Sequence, residues 1–180
     1  MKIPSHILSK VREFFDKIRS TFSFTSKAEI VEGTLRATKV FPDGRKEDIF
    51  EQKNLIMLLS KSYILGSIYK PTFSLNLVNR LQVGIGGTID PAGLYPKTVN
   101  QNLSALFTPL LYVTASYVEN TTVPSVTFIA DVDQTLGNGS LITEAGLLMT
   151  NGNLFNIKTF PGIPKTSDFS IHFEWTIRIA

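Results

Sequence analysis

The sequence contains no cysteine and only two histidines among 180 residues. The absence of cysteine excludes disulfides, thiolate metal sites and a cysteine nucleophile. Two histidines are too few for a histidine-rich metal site. We therefore predict no metal centre and no cofactor, and the remaining candidates for chemistry are carboxylates, hydroxyls and a glycine-rich loop.

The sequence also lacks a long uncharged hydrophobic run. The most apolar stretch, residues 55–69, is interrupted by Lys61 and is shorter than the roughly 20 residues of a membrane-spanning helix. Near the start, Lys10, Arg12 and Glu13 break the apolar stretch that a secretion signal requires. We therefore expect neither a membrane span nor a signal peptide.

Positive charge is concentrated at the start of the chain. The net charge is +3, and residues 1–24 account for all of it with five basic and two acidic side chains. The remaining residues carry equal numbers of basic and acidic side chains. A nucleic-acid-binding protein would be expected to carry a basic stripe across its folded body. The charge distribution therefore predicts no nucleic-acid partner.

Residues 5–22 have the periodicity of an amphipathic helix. Pro4 and Ser5 are typical of a helix start, and a short linker follows the periodic segment. We predict that residues 1–27 are an anchor helix with its linker, and that residues 28–180 form one domain. The predicted interface is the apolar face of the helix, which consists of Ile7, Leu8, Val11, Phe14, Phe15, Ile18 and Phe22.

The body of the chain is predicted to be mainly β. Alternation begins at residue 28, with a hairpin turn at Asp43-Gly44. Two Asn-Gly turns, at 138–139 and 151–152, bracket an apolar strand, and residues 169–179 alternate strictly between apolar and polar side chains. Residues 54–69 predict one internal helix, residues 109–119 predict one strand, and residues 161–168 predict a loop. The pattern as a whole predicts an antiparallel β-sandwich with this internal helix and the N-terminal amphipathic helix.

The segment "RLQVGIGGTIDP" resembles a phosphate-binding loop only superficially. A dinucleotide fingerprint needs a third glycine at a set offset and a helix directly after the loop, and Pro91 disfavours that helix. The Gly-Lys-Ser/Thr of a P-loop is absent. We predict that Gly84, Gly86 and Gly87 are structural, and that they supply positive φ where a strand opens into a loop over residues 86–105.

Two polar groupings imitate catalytic or metal sites in composition alone. Same-face positions on the last strand are roughly 7 Å apart, too far for a relay of hydrogen bonds; these positions are Ser170, His172 and Glu174. Three carboxylates imitate a calcium site without EF-hand spacing; they are Asp90, Asp131 and Asp133. We interpret both groupings as polar strand faces and predict that the protein is not an enzyme.

Glu144 is the least ordinary polar residue because it lies within the apolar strand "ITEAGL". By parity it shares a face with Ile142 and Leu148, which predicts partial burial. A buried carboxylate must be paired or hydrogen-bonded, and its possible partners are the amides of the glycine loop and Lys165. The preferred interpretation is an acid that ties a loop in place, and a ligand-binding or catalytic role is the alternative.

Four motifs follow one another in the second half of the chain. A strand ends in a Gly-x-Gly-x-Thr loop at Gly84, Gly86 and Thr88, and a Glu-Ala-Gly-Leu strand follows at Glu144 to Leu147. A Phe-x-x-Ile-x-Lys-Thr segment at Phe160, Ile163, Lys165 and Thr166 then precedes a closing Trp-Thr-Ile strand at Trp175 to Ile177. In this order the motifs resemble a pattern in small virion proteins of tailed bacteriophages, and the resemblance covers residues 54–180. It implies a structural protein of the capsid, neck, tail or fibre without enzymatic activity.

The favoured hypothesis is a non-enzymatic virion component that is assembled in the host cytoplasm. It would form a homo-oligomer, and its N-terminal helix would dock on another virion protein of the capsid, portal, neck or tail, or self-associate, in preference to binding a membrane. The alternative is a carbohydrate-binding module, which needs exposed aromatic side chains on one concave surface. Trp175 is instead predicted to anchor the core. The candidate sugar-binding aromatics are Tyr63, Tyr69, Tyr95, Tyr112 and Tyr117.

Deletion of residues 1–24 tests the predicted anchor. The seven large apolar side chains would contribute roughly 10–20 kcal/mol gross if fully buried, so they are not expected to remain in water. We expect the truncated protein to fold, as measured by circular dichroism and thermal melting, but to be missing from assembled particles. Unfolding of the truncated protein would instead assign the segment to the core of the domain.

Overall fold

The computed structural model describes residues 31–58, 60–62, 64 and 76–179, in which every strand pairing is antiparallel. Residues 58, 60–62 and 64 are helical. The prediction of a mainly β, antiparallel fold is confirmed. The described strands are β1 (Val31–Val40), β2 (Lys46–Ile56), β3 (Val78–Gly84), β4 (Pro109–Thr114), β5 (Ser116–Asn120), β6 (Ser125–Val132), β7 (Leu141–Met149), β8 (Leu154–Pro164) and β9 (Ser170–Ile179).

The strands form one nearly closed sheet in the order β4-β3-β7-β8-β2-β1-β9-β6-β5. Strand β4, at one end of this order, contacts β6 near the other end. The chain passes four times between the two halves of this order, β4-β3-β7-β8 and β2-β1-β9-β6-β5, and the halves are joined most directly at two places. Strand β2 pairs with β1 as far as Asn54 and then with β8 through Leu55 and Ile56, while only Ala115 separates β4 from β5. These crossings curl the sheet around one interior.

The main core fills this interior with apolar side chains from both halves of the sheet. On β9 the residues Ile171, Phe173, Trp175 and Ile177 are buried and the residues between them are partly exposed, as the sequence alternation predicts. Trp175 is 0% exposed and is paired in register with Leu35 of β1. Its ring is thus enclosed by side chains from neighbouring strands.

A second, smaller hydrophobic cluster lies on the other side of β7 and β8, under the chain that links β3 to β4. Its buried members are Met57, Leu106, Leu148, Leu154 and Ile157. Strand β7 separates the two cores, because Ala145 and Leu147 belong to the main core and Leu148 belongs to the second cluster. Burial on both faces explains why β7 is apolar along nearly its whole length.

Three expectations about local structure need correction. Residues 54–56, predicted to begin a helix, belong to β2, because Leu55 and Ile56 pair with β8. Strand β8 continues to Pro164, so the loop predicted from Pro161 starts later. The stretch predicted as one strand over residues 109–119 is divided into β4 and β5. In each case tertiary pairing overrides the local pattern.

Other expectations fall outside the described residues or are limited to part of them. The N-terminal amphipathic helix, its interface residues and the boundary at residue 27 lie outside the described part of the chain. The predicted glycine turns are present, since Gly44, Gly139 and Gly152 have φ values of 85°, 81° and 83°. Within the residues that the structure describes, no helix is both long enough and apolar enough to cross a membrane.

Replacement of Trp175 by alanine tests the packing of the main core. Truncating a buried tryptophan typically costs about 3–5 kcal/mol because the cavity refills only partly. We expect Trp175→Ala to lower the free energy of unfolding, measured in urea, by about this amount. Tyr117→Ala is the matched control because Tyr117 is 61% exposed. Equal stability of Trp175→Ala and wild type would show that Trp175 does not pack as described.

Candidate functional site

The chain between β3 and β4 forms a long loop, residues 85–108, whose ends meet. The amide of Ile85 donates to the carbonyl oxygen of Thr108 at 3.0 Å. The only bridge within the loop joins Thr88 to Pro96. Loops of this length without strands or helices of their own are uncommon in compact domains and usually have a function. The contacts that hold this loop are therefore the first place to look for a site.

Glu144 of β7 holds both ends of the loop. Its carboxylate is fully buried; Oε1 accepts hydrogen bonds from the amides of Gly86 at 3.1 Å and Thr108 at 2.8 Å, and Oε2 accepts one from Phe107 at 2.9 Å. Charge-assisted bonds of this kind offset the cost of burying a carboxylate. Both oxygens are engaged by backbone amides, which favours the loop-tethering role over ligand binding or catalysis.

The three glycines at the start of the loop are required for close packing. The prediction that Gly84, Gly86 or Gly87 has positive φ is wrong, because none of them does. A Cβ atom on Gly84 would lie 2.5 Å from both Glu144 Oε1 and the carbonyl oxygen of Thr108. A Cβ atom on Gly86 or Gly87 would also collide with neighbouring backbone. The missing side chains let the loop approach β7 closely enough to be bonded by Glu144.

The outer part of the loop is a small hairpin that is held by hydrogen bonds of its own. The carboxylate of Asp90 accepts hydrogen bonds from the amides of Leu94 at 3.0 Å and Tyr95 at 2.8 Å. These bonds hold the pKa of Asp90 below its ordinary value, and the bond from Leu94 has the largest effect. The amide of Gly162 donates to the carbonyl oxygen of Gly93 at 2.7 Å and joins the hairpin to β8. Asp90 is thus a turn-capping residue.

This hairpin presents apolar side chains to solvent. Ile89 is 73% exposed, and Leu94 and Tyr95 are each 62% exposed; we call these three residues the tip. A concavity of about 520 Å³ lies beside the tip and is lined in part by Ile85 and Leu141. Exposed apolar side chains in a rigidly held turn are characteristic of an interaction surface. Sequence reasoning missed the tip because nothing in its local pattern distinguishes it from a buried turn.

Lys165 occupies a separate buried position. It is 1% exposed, and its ammonium group donates to Asn138 Oδ1 at 3.0 Å and to the carbonyl oxygen of Thr166 at 2.7 Å. Burial lowers the pKa of Lys165, and the nearby carboxylates of Asp133 and Asp168 oppose this shift. The Lys165 side chain is therefore not a partner of Glu144, and it fastens the turn before β7 to the end of β8.

The polar groupings that imitate catalytic or metal sites form ordinary surface contacts. His172 Nδ1 lies 2.7 Å from Asp131 Oδ1, and His172 Nε2 lies 3.8 Å from Glu174 Oε1. Asp133 accepts hydrogen bonds from the backbone and hydroxyl of Thr135. Asp90, Asp131 and Asp133 thus have separate local roles. Across the described residues, no three His, Asp or Glu side chains are grouped to hold a metal ion.

The aromatic residues of the alternative hypothesis are dispersed over different elements. Tyr63 and Tyr69 lie outside the described residues. Tyr95 is at the tip, Tyr112 is on β4 beneath the guanidinium of Arg80, and Tyr117 is on β5 beside Phe128. Trp175 is enclosed in the main core. This placement does not favour a sugar-binding surface.

Substitution of Glu144 tests the tether. Glu144→Ala leaves three amides without an acceptor, and an unsatisfied buried donor costs roughly 1–3 kcal/mol. Glu144→Gln keeps one acceptor oxygen but turns an amide nitrogen toward an N–H group, so we expect an intermediate loss. Unfolding in urea measures both, with Glu119→Ala on the exposed strand β5 as control. Wild-type stability of Glu144→Ala would contradict the tethering role.

Comparison of the sequence and fold with known proteins finds no relative of this chain. No protein-family model matches the chain, and no curated protein or solved structure matches it. Inference about function therefore rests on the residues of this chain and on the contacts among them.

Proposed function

We propose that this protein is a non-enzymatic structural subunit of a tailed-bacteriophage virion that works through protein–protein contacts. The observation that supports the proposal most is the tethered loop with its exposed tip. The loop is held by Glu144 at its base and by Asp90 and Gly162 further out, so its tip is presented in a fixed position. A rigid turn that exposes Ile89, Leu94 and Tyr95 suits a subunit contact.

The use of the polar residues agrees with a structural role. Glu144 and Lys165 are the most deeply buried charged side chains that the structure describes, and each is hydrogen-bonded within the chain. Catalytic groups are more often placed in a cleft, where a substrate can reach them. The bonded acid and the bonded lysine of this chain instead stabilise its loops.

The sheet supports the finer hypothesis of a β-sandwich that assembles by symmetry. One core joins side chains from both halves of the strand order, as two sheets packed face to face would. Strand β5 ends the order and is exposed along its length, with Tyr117 61% and Val118 60% exposed. Exposed edges of this kind are commonly covered in assemblies. A homo-oligomer would cover this edge, and residues 7–22 would dock on another virion protein.

A protein inventory of purified particles tests the proposal directly. Mass spectrometry should detect the chain in virions of the phage that encodes it, at a fixed copy ratio to the major capsid protein. The ratio should survive density-gradient purification, which removes unassembled protein. Absence of the chain from purified particles that contain the other structural proteins would contradict the proposal.

Substitutions at the tip test the contact surface. We expect Ile89→Ser combined with Tyr95→Ser to leave the melting temperature nearly unchanged, because exposed side chains contribute little to stability. The same protein should incorporate poorly into particles when it competes with wild type. Leu77→Ser is the matched control because Leu77 is 61% exposed and lies outside the tip. Equal incorporation of the tip variant and the control would exclude the tip as a contact.

A further inference from the structure

Strands β2 and β8 part from each other soon after they pair. They share only the pairs Leu55↔Ile157 and Ile56↔Asn156. Beyond these pairs β2 continues beside β1, and β8 continues beside β7. A cavity of about 440 Å³ lies where they part, and we call it the fork. Its lining includes Lys53, Leu55, Lys97, Thr98, Lys158 and Thr159.

The lining of the fork carries positive charge and no acidic residue. Its lysines are Lys53, Lys97 and Lys158, and it also contains amide and hydroxyl groups. The ammonium group of Lys53 is 3.8 Å from Glu32, which is not part of the lining, and that of Lys97 lies 4.8 Å from the centre of the Phe107 ring. Among the described residues no carboxylate lies within ion-pair distance of Lys158.

The charge of Lys158 is incompletely satisfied within the fork. Burial lowers the pKa of Lys158, with no neighbouring charge to oppose the shift. A partly desolvated cation without an acidic partner is costly, because burial disfavours the charged form. An anionic ligand bound in the fork would supply the missing opposite charge.

We propose that the fork binds an oxyanionic group, a phosphate or a carboxylate, with Lys158 as its principal cation and with Lys53 and Lys97 as further positive charges of the lining. A lysine ammonium binds such groups as a point charge, and the lining also includes the hydroxyl of Thr98, whereas that of Thr159 already donates to the carbonyl oxygen of Lys97. The inference does not depend on the virion role, since it concerns a different part of the molecule from the tip.

Thermal-shift titration of the full chain with inorganic phosphate tests the site, at constant ionic strength with chloride as the replaced anion. Binding to the native state raises the melting temperature in a saturable way. We expect saturation with wild type and with Lys46→Met, a control at the exposed start of β2. Lys158→Met should bind at least about tenfold more weakly, because a bond to a charged group is lost. Without ligand it should be no less stable than wild type.

A parallel titration with glutarate distinguishes the two sources of the group. Saturation by glutarate alone identifies a carboxylate site of the kind that an acidic side chain of a partner would occupy. Saturation by phosphate supports a phosphate site. Failure of both anions to stabilise the wild type, or an equal response of Lys158→Met and wild type, would overturn the proposal.

Discussion

The hydrogen bonds to the carboxylate of Glu144 hold the long loop, residues 85–108, against β7. A buried carboxylate is costly unless donors surround it, and the amides of Gly86, Phe107 and Thr108 supply those donors from opposite ends of one loop. The loop in turn brings Leu106 over Leu148 and closes the second hydrophobic cluster. One buried side chain thus holds both ends of the loop, and the loop covers the outer face of β7.

The position of the tip follows from this tether. With its base bonded to β7 and Gly93 bonded to Gly162 of β8, the hairpin is fixed to two adjacent strands. Apolar side chains in such a turn are pre-organised for contact, since little conformational freedom remains to be lost on binding. Gly84, Gly86 and Gly87 contribute to this placement, because their missing side chains let the loop lie against β7. These three glycines, which resemble part of a phosphate-binding loop in the sequence, therefore serve the close packing of this loop.

Local patterns predicted the parts of the fold that depend on local rules. The alternation on β9 and the Asn-Gly turns depend on the pleat of a strand and on the conformational freedom of glycine, and both are present. The role of Gly84 and Gly87 could not be predicted in this way, because it depends on residues of β7 that are distant in sequence. The start predicted for the internal helix failed for a similar reason, since Leu55 and Ile56 are held by β8. Parity predicted burial of Glu144, but the face that it assigned is only partly right, because the register shifts between Ile142 and Glu144 and Ile142 joins the main core. Only the fold shows which amides Glu144 meets.

Hydrogen exchange at individual amides measures the tether most directly. In the wild-type protein the amides of Gly86, Phe107 and Thr108 should be protected, because each donates to Glu144. In Glu144→Ala these three amides should exchange much faster, while the amides of β9 and β1 stay protected. Unchanged protection of the three amides in Glu144→Ala would contradict the account, because the loop would then be held by something other than this carboxylate.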